Sequence, residues 1–161
     1  KKIYKIKGRK RAKAIPVLIG KFEQLLGITK ELNENAQKLA KKFWPGALTL
    51  ILPRNPEVPD ILSPYATIGV RMPDHNWLRK LIWHSGALAA TSANISGGPN
   101  PQTAKEVRDQ LKGKIEIIID GGTCPKGIPS TVIDCTGDNV EILREGEISK
   151  EEILSCIRAF N

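Results

Sequence analysis

The sequence predicts an α/β domain built on a mixed sheet with flanking helices. Three observations carry that prediction. Short apolar runs alternate with amphipathic stretches from residue 15 to residue 111, three strand-like runs follow at close intervals, and helix-start signals precede the amphipathic stretches. Strands separated by helices pair in parallel, whereas strands joined by tight turns pair antiparallel, so one sheet must contain both.

Residues 2–7 read as the end of a helix, with Ile3, Tyr4 and Ile6 apolar and Gly8 as its stop. No helix start precedes them, so the chain is expected to lack an N-terminal segment. Ile15 to Gly20, IPVLIG, is a short buried strand. The stretch TKELNENAQKLAKKFWPG places Leu32, Ala36, Leu39, Ala40, Phe43 and Trp44 at helical spacing, with Thr29 as the expected cap and Pro45-Gly46 as the stop. ALTLIL, Ala47 to Leu52, is apolar nearly throughout and suits a strand covered on both faces.

A loop holding Pro53, Pro56, Pro59 and Pro64 leads into a strand at Thr67–Pro73, then a helix in HNWLRKLIWHSG ended by Gly86, then a short strand at Ala87–Ala90. Thr103 with Glu106, and Ser149 with Glu152, have capping-box spacing and open two more helices. The inner face of the last one is expected to be Ile153, Leu154, Ile157 and Phe160. Between these helices, IEIIID (115–120), STVIDC (130–135) and VEILREG (140–146) read as strands, the last two joined by the turn Thr136-Gly137-Asp138-Asn139.

At 161 residues, 40% apolar and 26% charged, the composition is that of one globular domain, residues 1–161. No apolar run approaches the ~20 residues of a bilayer span, so no membrane partner is expected. Cys124, Cys135 and Cys156 are odd in number, far apart and never in a C-x-x-C pair, which argues against a disulfide framework or a zinc site and fits the cytoplasm. His75 and His84, nine positions apart, do not share a helix face as a metal pair would, and read as capping or partly exposed side chains.

The charge is uneven. Residues 1–13 carry eight basic groups and no acid, and without them the chain balances 17 basic against 17 acidic residues. Such a cluster is a solvated flank, a nucleic-acid patch or a phosphate-binding segment. With Tyr4 as its one aromatic residue, it gives base stacking little support.

Four polar segments lie at the ends of apolar runs, where a sheet presents its binding groups. Lys7-Gly8-Arg9 offers a point charge and a planar fork around a glycine, a combination suited to phosphate oxygens. Thr67 and Arg71 lie four apart and share one strand face with Gly69, whose missing side chain leaves a shallow floor where a ligand can lie. In TSANISGG, Ser92 and Asn94 share a face if the chain stays extended, and Gly97-Gly98 lets backbone N–H groups turn inward as an anion nest. In GIPSTVID, Pro129 fixes the chain before Ser130 and Thr131, and the partner strand brings Arg144 near. Taken singly, each segment reads first as a capped turn. The sequence contains neither G-x-x-x-x-G-K-[ST] nor G-x-G-x-x-G nor G-x-S-x-G.

In this order, K-x-R (Lys7, Arg9), SPYATIGVRMP, ATSANISG, PSTVID and EILREG resemble the YrdC-type family, the L-threonylcarbamoyladenylate synthases, over residues 2–150. The resemblance implies a twisted mixed sheet with a basic concave face. It also implies a reaction that joins L-threonine, bicarbonate and ATP into threonylcarbamoyl-AMP and pyrophosphate, for the N6-threonylcarbamoyl group at adenosine 37 of tRNA. Carried over by position, Lys7 and Arg9 are the catalytic cations. Arg9, Lys13, Thr67, Ser92, Asn94, Asn100 and Arg144 hold ATP, and Arg71, Ala90 and Ser130 hold threonine. Mg2+ accompanies ATP, and no protein ligand for a metal is assigned. The implied partners are tRNA or double-stranded RNA on the basic face, and the proteins that transfer the threonylcarbamoyl group to tRNA.

The family's PTDTVYGL-like N-terminal segment and the C-terminal domain of its longer members have no counterpart in these residues. Two other readings share the same features. One is a non-catalytic RNA-binding module, and the other a carbamoyl-adenylate-forming domain of a hydrogenase maturation carbamoyltransferase, which calls for zinc-finger cysteines that do not appear here.

Overall fold

The computed structural model describes residues 1–124 and 127–159. The chain divides into two compact units, Lys1–Lys13 with Thr91–Ile128, and Ala14–Ala90 with Pro129–Asn161.

The second unit holds a six-stranded mixed sheet: β1 (Val17–Leu18), β2 (Leu48–Pro53), β3 (Thr67–Arg71), β4 (Leu88–Ala89), β5 (Thr131–Asp134) and β6 (Glu141–Arg144), in the order β4-β1-β3-β2-β5-β6. β1 with β3 and β2 with β5 pair in parallel, and the other three contacts are antiparallel. Period-two alternation sorts the side chains. Leu48, Leu50, Leu52, Val70 and Ile133 are sealed on one face, against Ala36, Leu39 and Ala40 of α2 (Glu34–Phe43) and Ile153 of α5 (Lys150–Arg158). Each fully buried leucine contributes about 1.5–3 kcal/mol by leaving water. The other face carries Thr67, Gly69 and Arg71 of β3, Thr49 and Ile51 of β2 and Val132 of β5, as the register requires. β2 is therefore sealed on one face and, at Ile51 and Pro53, half open on the other, instead of covered on both.

Several expectations shift. α2 starts at Asn33, whose Oδ1 accepts the Ala36 N–H at 2.9 Å. Thr29 is not the cap because its hydroxyl donates to Pro53 O at 2.7 Å in a bridge with Arg54. α3 (Asn76–Ser85) is capped by His75 Nδ1, and a complete capping box at Ser149 and Glu152 opens α5. α5 buries Ile153 and Cys156 and rests Ile157 on the core, while Leu154 stays half-buried and Phe160 lies outside the described residues.

In the first unit, α1 (Lys2–Lys7) and α4 (Ala104–Leu111) are the helices. Thr103 caps α4 through the Glu106 N–H, but the Glu106 carboxylate reaches the Gln102 N–H, one residue earlier than a full box requires. Residues 115–120 form no strand: Ile117 is 78% and Ile119 65% exposed. β-propensity specifies a strand only where an edge is available to pair, and none of the described strands pairs with this run.

Candidate functional site

The expected site residues fall into two sets, one in each unit. In the first unit, α1 ends in a Schellman turn. Gly8 takes φ 60° and ψ 34°, its N–H donates to Lys5 O at 3.3 Å, and the Arg9 N–H donates to Tyr4 O at 3.0 Å. A side chain there would be strained, so the glycine is what lets the helix stop at Lys7 and the chain turn at once into Arg9. The Tyr4 hydroxyl donates to Lys13 O at 3.0 Å and Arg9 Nε to the same oxygen at 3.3 Å, folding residues 9–13 back on the helix.

Lys7 is 3% exposed. Its ammonium donates to Ser92 O at 2.5 Å, Asn94 O at 2.6 Å and Asn94 Oδ1 at 2.8 Å, using all three protons. Lys7 O accepts the Ser96 N–H at 2.9 Å. Burial, and next the Arg9 charge, hold the Lys7 pKa below the usual lysine range. Asn94 is equally committed: Oδ1 also accepts the Ser92 hydroxyl at 2.7 Å, and Nδ2 donates to Gly98 O at 2.7 Å. Residues 91–98 form turns instead of continuing as a strand, and it is these bonds, not a pleat, that bring Ser92 and Asn94 together. Gly97 does take a positive φ of 86°, but the Gly98 N–H donates to Ile95 O at 2.9 Å, which removes it from an anion nest.

Lys7 and Asn94 thus brace the loop, with Ser92 exposed on it. The single Ser92 hydroxyl proton points at Asn94, leaving oxygen lone pairs to accept from a ligand hydroxyl or amine. Arg9 is partly exposed, and Lys13 and Asn100 are exposed.

In the second unit the open sheet face gathers Arg71, Ser130 and Arg144. Arg71 Nε donates to Gly46 O at 2.9 Å. Burial holds the Arg71 pKa below its ordinary value, Glu147 opposes that shift, and Arg144 adds to it. Arg144 donates from Nε at 3.1 Å and Nη2 at 2.8 Å to Ser130 O, and Nη2 lies 3.3 Å from Ser130 Oγ. Ser130 and Thr49, each 7% exposed, share a hydrogen bond of 2.8 Å between their hydroxyls. Thr131, on the sealed face, donates to Ile148 O at 2.6 Å and accepts from the Gly146 and Ile148 N–H groups, pinning the turn that carries Glu147. Thr67 starts β3, and Ala90 follows β4, its N–H on Pro16 O at 3.0 Å.

The floor expected at Gly69 is occupied. A Cβ there would lie 3.3 Å from Pro16 Cβ and Ile51 Cδ1 and 3.4 Å from Thr49 Cγ2, so the glycine serves close packing. Sequence reasoning missed Gly46, Thr49 and Glu147. Thr49 is the one hydroxyl in an otherwise apolar run, and that isolation is the signal that marks it.

A protein with this sheet and these paired basic and hydroxyl clusters belongs to the Sua5/YciO/YrdC family, whose sequence model, described as "Telomere recombination", matches residues 1–146. The chain is 46% identical to a threonylcarbamoyl-AMP synthase of Pyrococcus abyssi over 98% of its length, covering 47% of that protein. It is 44% identical to a Bacillus subtilis protein of the same name, again over 98% of the chain and 46% of the relative. The crystal structure of P. abyssi Sua5 complexed with L-threonine superposes with a TM-score of 0.92 at 46% identity, over 96% of this chain and 46% of that one. The chain spans about half the length of these relatives.

Proposed function

We propose that the chain forms threonylcarbamoyl-AMP and pyrophosphate from L-threonine, bicarbonate and ATP, for N6-threonylcarbamoyladenosine at position 37 of tRNA. The observation that carries this is the Lys7–Asn94–Ser92 network, which ties K-x-R to S-x-N although 87 positions separate Lys7 from Asn94. Names of relatives at 44–46% identity and the threonine complex of the P. abyssi protein support it.

Threonylcarbamate is a weak oxygen nucleophile that must meet the α-phosphorus in line as pyrophosphate leaves. Alignment and charge neutralisation are therefore the protein's main tasks. Arg9 and Lys13 supply cations for the phosphates. Ser92 and Asn100 hold the nucleotide, and Lys7 and Asn94 act by fixing Ser92. Arg71, with Nε anchored on Gly46 O, turns its remaining N–H groups to the threonine carboxylate or the carbamate, beside Ser130 and Ala90.

Mg2+ enters with ATP as part of the substrate. Among the described residues no group of three His, Cys, Asp or Glu side chains could hold a metal ion, and no helix is long and apolar enough to cross a membrane. We place the activity in the cytoplasm, where an exposed thiol such as Cys124 stays reduced. tRNA and the proteins that complete threonylcarbamoyl transfer are its partners.

The test is pyrophosphate release from ATP with L-threonine and labelled bicarbonate. Dependence on both co-substrates, with label in an acid-labile adenylate, is the expected result. Tight tRNA binding without turnover would replace the synthase by an RNA-binding module.

A further inference from the structure

Ser130, a threonine-binding residue on the function proposed above, stands immediately before β5 and is held by side chains of neighbouring strands. Its hydroxyl is boxed in by two side chains from other strands: Thr49 Oγ1 of β2 at 2.8 Å and Arg144 Nη2 of β6 at 3.3 Å. The register is compatible with this meeting. Leu48 pairs with Thr131 on the sealed face, so their neighbours Thr49 and Ser130 both project to the open one.

The inventory of protons then matters. A hydroxyl has one proton and two lone pairs, and Arg144, a donor only, engages one lone pair of Ser130. If Thr49 donates as well, both Ser130 lone pairs are filled by protein and its own proton is left for an acceptor on the substrate. Either hydroxyl can donate across the 2.8 Å contact, and a carboxylate that accepts the Ser130 proton selects the arrangement in which Thr49 is the donor. Thr49 Cγ2 lies on the Gly69 side of the open face, 3.4 Å from where a Cβ at that glycine would stand.

We propose that Thr49 is a positioning residue for threonine recognition: its hydroxyl orients the Ser130 O–H so that the proton faces the amino-acid carboxylate or carbamate. Three residues earlier the same segment gives Gly46 O to Arg71 Nε, so the entry to β2 aligns both groups that grip threonine.

The test uses Thr49→Val, which keeps the shape and removes the hydroxyl, Thr49→Ser, which keeps the hydroxyl, and Ser130→Ala, alone and combined with Thr49→Val. Threonine-dependent pyrophosphate release gives KM for threonine and for ATP separately, and thermal unfolding reports on folding. Expected is a rise of about five- to tenfold in threonine KM for Thr49→Val, unchanged ATP KM, recovery in Thr49→Ser, and no further loss when Thr49→Val is added to Ser130→Ala. Equal losses for both substrates, or full additivity in the double variant, would overturn the role of Thr49 while leaving the synthase reading intact. If Thr49→Val does not fold, the Thr49→Ser and Ser130→Ala kinetics decide: a tenfold loss in Thr49→Ser despite its hydroxyl overturns the proposal. A wild-type protein whose pyrophosphate release ignores threonine overturns the proposed function, and this inference with it.

Discussion

Lys7 Nζ lies 2.8 Å from Asn94 Oδ1 in a buried contact, and the same ammonium spans two main-chain oxygens of the loop that carries Ser92. A buried cation satisfied only by neutral oxygens has stiff positional demands, because each acceptor lost leaves a charge partly unsolvated. Lys7→Met should therefore lower stability by about 1–3 kcal/mol and weaken ATP binding at least tenfold through the displaced loop. Lys7→Arg should not rescue, since a planar fork cannot satisfy three acceptors arranged around a point charge. Isothermal titration with ATP, paired with thermal unfolding of each variant, checks both statements. Full ATP affinity in Lys7→Met would remove the loop from nucleotide binding.

Arg71 tests the other set. One of its N–H groups is fixed on Gly46 O, and lysine cannot both keep that anchor and face a carboxylate with two parallel donors. Arg71→Lys should raise the threonine KM by tenfold or more while the ATP KM changes less than twofold. The split between the two substrates is the measurement; parallel losses would place Arg71 on the nucleotide or in the fold.

The β2 strand, the α2 helix and the caps at Ser149 and His75 were legible in the sequence because apolar runs, helical spacing and cap residues are local signals, whereas the opening of one β2 face was not, its run being apolar nearly throughout. The failures share one cause, which is that single-sequence patterns do not reveal tertiary partners. Thr29 looks like a cap until Pro53 O claims its hydroxyl, and residues 115–120 look like a strand until no edge meets them. Lys7 reads as a phosphate-facing cation because burial of an ammonium depends on acceptors 85 and 87 positions away. Thr49 stands out as the one hydroxyl of its apolar run, but its partner Ser130 lies 81 positions away and does not show in the local pattern.

Thr131 is fully buried and its hydroxyl serves three backbone groups at once, Ile148 O, Gly146 N and Ile148 N. Thr131→Val keeps the packing but strands all three. A loss of about 3 kcal/mol is expected, seen as a fall of about 6–12 °C in Tm. Because the freed turn carries Glu147, which acts on Arg71, threonine KM should rise in the same variant at temperatures where it remains folded. A Tm within 2 °C of wild type would show that the turn is held by other bonds.

The thiols give a prediction with a defined sign. Cys135 is buried beside Asp134, and burial first, then that carboxylate, push its pKa from 9.0 up to about 12. Between those values the unfolded chain releases the thiol proton while the folded one keeps it, so the unfolded state binds fewer protons and stability falls as pH rises from 9 towards 12. The full effect is ~4 kcal/mol at about 1.4 kcal/mol per pH unit. In Cys135→Ala the alkaline slope should flatten, whatever the cavity costs at neutral pH. In the wild type at pH 8, a thiol reagent should label exposed Cys124 rapidly and reach Cys135 and Cys156 only on unfolding. Urea titrations at pH 8, 9 and 10 measure the slope, and rapid labelling of Cys135 in the native protein would contradict the burial on which it depends.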